Sequence, residues 1–384
     1  MLWKLLFRNA FRHTLRTLLT VFGVAVAVLA FGLLRTVVDA WYAGVSAAAA
    51  NRLIIRNAIS LTFFLPIAYM EKIRAIDGVQ ALSHMTWFGG IYIDRKNFFA
   101  NFAVEGKSFL DLYPEFILAE DQKDAFMKDR KGCVVGRGLA RRFGWKVGDG
   151  ITLQGTIFRG DWPMTVRAIY SGRDRTVDEN QLFFHWDYLN ERLKAASHRR
   201  ANQAGIFVIE IADPDSASAV AGAVDAVFKN SLAETLTETE RAFQLGFVSM
   251  SEAILMAIRL VSFLIIGIIM AVAANTMIMS VRERMHEFAV FKTLGFGAIP
   301  LGSLILGESL VICIVGGALG MAGTFPALRI LAQNVSNVFP VLDITAATLC
   351  YDILAVLAVA LVSAIFPIRR VITVPIVEAL GRAG

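Results

Sequence analysis

Charge is scarce in this sequence. Only 18% of its 384 residues are Asp, Glu, Lys or Arg, while 56% are hydrophobic and the mean hydropathy is +0.58. Soluble domains carry about a quarter charged residues. Cysteine is scarcer still: there are three, and Cys313 and Cys350 fall in apolar runs. Cys133, alone in the polar part, cannot build a disulfide framework, and no CxxC or His/Cys spacing suggests zinc. That part must hold itself together by its own core, for which roughly 200 residues suffice. Catalytic signatures are also missing. Gly106-Lys107-Ser108 has the ending of a phosphate-binding loop, but Asn101 stands where the motif needs glycine. There is no HExxH and no GxSxG, and His84, His185 and His198 are dispersed. No basic stretch interleaved with aromatics offers a nucleic-acid platform, so that partner is not expected. The net charge of +6 instead suits an anionic membrane leaflet.

What is present is a 1+3 pattern of uncharged runs. Residues 17–34 form the first, 260–281 the second, 301–325 the third with Glu308 inside it, and 353–368 the fourth. Eighteen residues of helix rise about 27 Å, close to the hydrocarbon thickness. The first run is preceded by sixteen residues and is longer than a usual signal-peptide core, so it is expected to anchor and not to be cleaved. Arg and Lys flank the runs on alternate sides: Lys4, Arg8, Arg12 and Arg16 at the start, Arg282, Arg284 and Lys292 after the second, Arg369, Arg370 and Arg382 at the end. Four spans put all three groups on one face, and positive charge marks that face as cytoplasmic.

The expected organisation is an α-helical membrane protein with four transmembrane helices and a large α+β extracytoplasmic domain between spans 1 and 2. Residues 1–16 are expected to lie as an amphipathic helix on the inner leaflet, with a merely charged flank as the alternative. Span 1 covers 17–42, the outer domain with its stalk 43–250 and an inserted subdomain about 105–204. Span 2 covers 251–281, a cytoplasmic segment 282–297, span 3 298–327, a short outer loop 328–346, span 4 347–369 and a cytoplasmic tail 370–384. Phe243, Phe247, Met250 and Ile254 recur in a heptad-like seam. A single helix from about Thr237 to Val281 would be on the order of 65 Å long and would form a stalk. Gly316 and Gly320 form a GxxxG pair for close helix packing. Glu308 is an intramembrane carboxylate, a functional candidate by position, with the alternatives that it is protonated or simply satisfied by a backbone or hydroxyl partner such as Ser309 or Thr276. In the outer domain, strands are expected near 52–56, 90–93, 98–104, 133–136, 151–158, 164–170 and 205–211. Helices are expected from Pro66 to Ile76 and over 213–230.

Four stretches carry a resemblance to a known family. RNAFRHTLRTLLTVFGVAVAV opens the chain, KGCVVGRGLARRFGWKVGDGITLQG covers 131–155, VRERMHEFAVFKTLGF covers 281–296 and FPIRRVITVPIVEAL covers 366–380. Together they resemble the MacB/FtsX-like permeases, the membrane subunits of type VII ABC transporters. The third stretch is the most specific, similar to the family's "ERxxEIAxLKALG". The resemblance implies that this segment is the coupling helix, built from Arg282, Glu283, Arg284, Glu287, Phe288, Phe291, Leu294 and Gly295, with its aromatic residues inserted into an ATPase groove.

It further implies a bacterial inner-membrane protein with both termini cytoplasmic, itself non-catalytic and without cofactor. ATP and Mg would be bound by a separate dimeric ATPase. A second permease copy or paralogue and, in some branches, a periplasmic adaptor would complete the assembly. ATP-driven motion of the outer domain would then serve export of a periplasmic substrate or lipoprotein handling. The alternatives are an ATP-driven regulator of a periplasmic cell-wall enzyme, or an ATPase-independent membrane-anchored binding protein.

Overall fold

The computed structural model describes residues 14–174, 176–335 and 342–375. The expected amphipathic stretch with Lys4, Arg8 and Arg12, residues 336–341 of the short outer loop, and the tail beyond 375 with Arg382 lie outside the described residues; residues 328–335 of that expected loop are instead the end of the span 3 helix. The described chain divides into two compact units, one made of residues 14–40, 251–334 and 342–375, the other of 41–250.

Helix α1 (Thr14–Trp41) is the first span, and a short α2 (Ala43–Ala47) follows it. The inserted unit then alternates strands and helices: β1 (Arg52–Asn57), β2 (Leu65–Pro66), α3 (Tyr69–Arg74), β3 (Val79–Trp87), β4 (Gly90–Ile91), β5 (Ala100–Val104), α4 (Gly106–Leu112), β6 (Phe116–Ile117), α5 (Glu120–Lys128), β7 (Gly132–Gly136), α6 (Arg137–Phe143), β8 (Gly150–Gly155), β9 (Gly160–Gly172), β10 (Gln181–His185), α7 (Trp186–Ala195), β11 (Gln203–Ala204), β12 (Ile206–Ile211), α8 (Ala217–Phe228), β13 (Thr235–Thr239) and α9 (Glu240–Met250). The main sheet runs β13-β1-β12-β3-β5-β10-β7-β9-β8-β4, with β6 on β9. Among the described residues, only the β5/β10 and β7/β9 pairs are parallel.

The strands expected from β-branched and aromatic runs form. The expected repetition of strand then helix at 52–76 and 205–230 is also present: β1 and β12 pair directly. Met70 and Ile73 of α3 and Val220, Val224 and Phe228 of α8 share one core with Leu53, Ile55, Phe207 and Ile209. Residues 105–204 do not make a sheet of their own. Their strands β7 to β10 extend the sheet of β1, β3 and β12, over a second core that includes Phe88, Phe99, Val135, Trp162 and Phe184.

Two expectations are corrected. Pro66 does not open a helix: it lies in β2, paired with Gln203, and α3 starts at Tyr69. The stalk helix neither starts at Thr237 nor runs unbroken. Thr235–Thr239 is a strand in register with β1, because its β-branched residues suit a pleated edge. Thr239 then caps α9, its hydroxyl accepting the Ala242 N–H at 3.1 Å. Helix α9 stops at Met250, and Ser251 separates it from the next helix.

The second unit contains α1, α10 (Glu252–Glu283), α11 (Met285–Thr293), α12 (Ala298–Val335) and α13 (Ala346–Thr373). Four of these, all but α11, are long and apolar enough to cross a membrane. Their shared core includes Val24, Val28, Phe31, Ile269, Ala273, Val356 and Ala360. A Cβ at Gly316 would stand 2.8 Å from the Val21 carbonyl, and one at Gly320 2.5 Å from the Ala25 carbonyl. The glycine pair of span 3 therefore seats span 1 at backbone distance.

Candidate functional site

The segment between spans 2 and 3 is the first candidate. Helix α11 ends where Gly295 takes a left-handed conformation (φ +86°) and the Phe296 N–H reaches back 3.0 Å to the Phe291 carbonyl. This is the glycine stop expected there. The roles of its aromatic residues differ from expectation. Phe288 is 2% exposed and packs with Val281, Leu301, Ile305 and Val371. It is a core residue of its own bundle, because α11 lies against the ends of the spans and one face must be buried there. Phe291 is half-buried on the same cluster. The apolar surface left exposed is Val290, Leu294, Phe296 and Ile299, with Phe296 set edge-on to Phe291 at 5.5 Å.

Arg284 is also placed differently. The resemblance counted it among the residues of the docking helix, yet it is 8% exposed. Its Nη1 donates to Glu308 Oε2 at 3.0 Å and its Nε to Glu287 Oε2 at 3.0 Å. Ser280 Oγ donates to Glu308 Oε1 at 3.2 Å. The partner of Glu308 is thus a cation from the end of span 2, and neither Ser309 nor Thr276 bonds it. Ser309 instead donates to the Ala360 carbonyl at 2.9 Å, and Thr276 to the Val272 carbonyl at 2.9 Å. A carboxylate in hydrocarbon needs a cation to compensate its charge, which a hydroxyl such as that of Ser280 supplements but does not replace.

Two more contacts gather the same end of the bundle. Arg16 of α1 makes a forked pair with Glu283, at 2.6 and 3.0 Å. Lys292 Nζ donates to the Ile372 and Val374 carbonyls at the end of α13, at 3.2 and 2.9 Å. Arg282 is exposed beside them.

The seam residues are divided. Phe243 is half-buried on the domain core, whereas Phe247, Met250 and Ile254 are exposed. An ionisable group that sequence reading left at the edge of span 4 is Asp352. It is 1% exposed, a Cβ on Gly32 would touch its carboxylate, and neither of its oxygens has a hydrogen-bond partner among the described residues. Its polar type in the second turn of α13 was the available signal.

The inserted unit holds a cavity of about 1060 Å³. One face of the sheet lines it. Trp87, Phe102 and Phe183 are successive cross-strand partners there, as are Ile206 and Met85. Phe109, Phe64 and Phe247 add further aromatic wall. Arg52 is among the lining residues and is tied on several sides. It forks onto Glu115 at 2.6 and 3.1 Å, bonds Glu240 at 2.8 Å and the Leu112 carbonyl at 2.9 Å, and lies over the Tyr113 ring. Burial works against its charge, but the two carboxylates outweigh it and hold the guanidinium above its ordinary pKa. This clamp joins β1, the 112–115 turn and the start of α9, and nothing in the sequence marked it. Burial pushes the Asp178 carboxyl up at another part of the lining.

Gly106-Lys107-Ser108 starts α4, and Ser108 Oγ donates to Glu105 at 2.7 Å and lies 2.8 Å from the Ser83 hydroxyl. His84 packs on Trp186, His185 on Phe126, and His198 near Phe158. Among the described residues, no three His, Cys, Asp or Glu side chains are grouped as metal ligands.

Two family models match this chain. Residues 17–227 match the MacB-like periplasmic core domain, and residues 259–376 the C-terminal part of FtsX-like permeases. Among solved structures, the chain is similar to the extracellular domain of the noncanonic ABC-type transporter YknZ from Gram-positive bacteria. That match has 10% identity and TM-score 0.36, and covers 49% of this chain and 99% of that one. It is also similar to a domain of a Porphyromonas gingivalis protein described as a permease, with 16% identity, TM-score 0.33, and 50% and 90% coverage. A search of curated proteins finds no match.

Proposed function

This chain belongs to the MacB/FtsX-like permeases of ABC transporters, and from that premise we propose that it couples a cytoplasmic ATPase on a partner chain to its extracytoplasmic domain. The observation that carries the reading is α11. It is a nine-residue helix between two spans, buried on one side and open on the other through Val290, Leu294 and Phe296. A short helix with apolar anchors fits a groove on a partner protein. The Arg16, Arg282 and Lys292 end of the bundle is the cytoplasmic one by the distribution of positive charge. Both termini would then be cytoplasmic, in a bacterial inner membrane.

In this reading two permease copies flank an ATPase dimer that supplies ATP and Mg. ATP-driven closure draws the α11 helices together, and the spans carry the displacement to the outer domains as rigid bodies. The aromatic cavity of the outer domain suits an apolar or amphipathic cargo better than a sugar or nucleotide. Export of such a substrate, or handling of a lipoprotein, is the leading output. Regulation of a periplasmic enzyme uses the same machine and differs only in what the outer domain grips.

The test is retention of the cognate ATPase subunit by the tagged permease. Leu294→Asp with Phe296→Asp should lower retention by about tenfold or more, as loss of a central apolar anchor does. Full retention by this double variant would remove α11 as the docking element. Phe288→Asp is unsuitable, because it would unfold the bundle end.

A further inference from the structure

We infer that Glu308 and Arg284 form a positioning pair through which span 3 follows the ATPase-docking helix. The inference rests on the coupling role proposed above and assigns the intramembrane carboxylate a place in it. Three observations support it.

First, the pair sits at a junction. Arg284 is the residue between α10 and α11, so its backbone belongs to the turn on which α11 pivots. Its guanidinium divides between Glu287 in the first turn of α11 and Glu308 in α12. Movement of α11 therefore bears on the same side chain that holds span 3.

Second, the pair is buried at both ends. Arg284 and Glu308 are 8% and 7% exposed, and Ser280 fills a further acceptor site on Glu308. Within this low-dielectric setting, separating the charges is costly, so displacement of one is transmitted to the other. An exposed pair would slip through water instead.

Third, two further polar ties on this segment reach different spans. Glu283 holds Arg16 of span 1, and Lys292 holds the last carbonyls of span 4. Span 3 is tied by Glu308. Its apolar contacts at Leu301 and Ile305 lie on the Phe288 side and slide more readily than a buried ionic hydrogen bond. The geometry is that of a mechanical joint.

The experiment uses the full-length permease with its ATPase in nanodiscs, with Cys350→Ser and a fluorophore on Leu232→Cys, a fully exposed outer-domain position. Two quantities are read: ATPase retained, and the fluorescence change on adding ATP. Glu308→Gln and Arg284→Gln should retain the ATPase but lose about tenfold of the ATP response, a typical span for coupling between sites. Arg284→Lys, which keeps a charge for Glu308, should restore most of it. Arg284→Met with Glu308→Met leaves no buried charge and so folds regardless of the single variants. It should still lack the response.

An unchanged response in that double variant, or in Glu308→Gln, overturns the positioning role. Loss of ATPase retention and response together in all charge variants, including Arg284→Lys, also overturns it, since the pair would then act only in holding the fold. Failure of the unaltered permease to retain the ATPase at all overturns the coupling role itself, which keeps the two failures apart.

Discussion

Single side chains carry much of the inserted unit's integrity. Arg52 is bonded to partners 63 and 188 residues away in the chain; Arg52 and Glu240 are buried and Glu115 is half-buried. Arg52→Met would strand Glu115 and Glu240, and removal of one member of a buried ionic group costs about 3–5 kcal/mol. The expected result is a clear drop in the unfolding midpoint of the domain, followed through the fluorescence of buried Trp145, Trp162 and Trp186. A midpoint equal to that of the unaltered protein would mean that the clamp is dispensable.

His185 gives a pH dependence. Its ring stacks on Phe126 at 4.0 Å with Nε2 2.8 Å from the Phe126 carbonyl, and burial lowers its pKa below the ordinary 6.5, with the carbonyl opposing in part. The folded state thus binds the proton less readily than the unfolded chain. Stability is complete above pH 6.5 and declines as pH falls below it. Urea midpoints at pH 7.5 and 5.5 should differ, and the part of the difference due to this ring should vanish in His185→Gln. These contacts were not legible in the sequence. A lone Arg opening a strand and a His ending one look ordinary until distant residues close around them.

Elements were more legible, and where they failed the reason is physical. Spans must be apolar throughout because lipid offers no solvation for charge, so their pattern stands out without any neighbour. Strands such as Cys133–Gly136 are equally visible, since a run buried on both faces reads as continuous hydrophobicity. Val79–Trp87 was missed because Ser83, His84 and Thr86 interrupt its pattern, although all three are buried. Thr235–Thr239 was missed, and its part from Thr237 was assigned to the stalk, because a polar edge strand has no signal of its own beside a strong helical seam.

The GxxxG pair was visible, but its partner in span 1 was not. Gly320→Leu would drive a side chain into the Ala25 backbone, and overpacking of this kind costs about 1–3 kcal/mol. Gly267→Ala meets nothing within 4 Å and replaces a helical glycine, so it should be neutral or mildly stabilising. Thermal unfolding of the two variants in detergent should separate them in that order.

Across the whole molecule, the family assignment and the layout of spans lead to a definite sidedness. A membrane-impermeant maleimide should label Leu232→Cys in intact spheroplasts, in a Cys350→Ser background. Gly297→Cys, in the exposed turn after α11, should label only after permeabilisation. The reverse pattern would put α11 outside the cell and end the coupling proposal. Transport and regulation part at the same scale. Export predicts ATP-dependent movement of an amphipathic probe in vesicles holding permease and ATPase. Regulation predicts none, together with a stable partner on the outer domain.

From the sequence alone came the four spans, their spacing around an α+β insert, the likeness to the permeases and the short segment between spans 2 and 3. Each depends on local order of residue types: uncharged length, alternation, or a motif read along one stretch of chain. The tertiary structure alone decided which face of that segment is spent on the bundle and which is free. It also decided that Glu308 is held by Arg284, that Asp352 lies buried and unpartnered, and that Arg52 locks three distant pieces of the insert. The physical reason is common to these. A charge or ring acquires its role from what surrounds it, and those surroundings are assembled by folding from parts of the chain that the sequence keeps far apart.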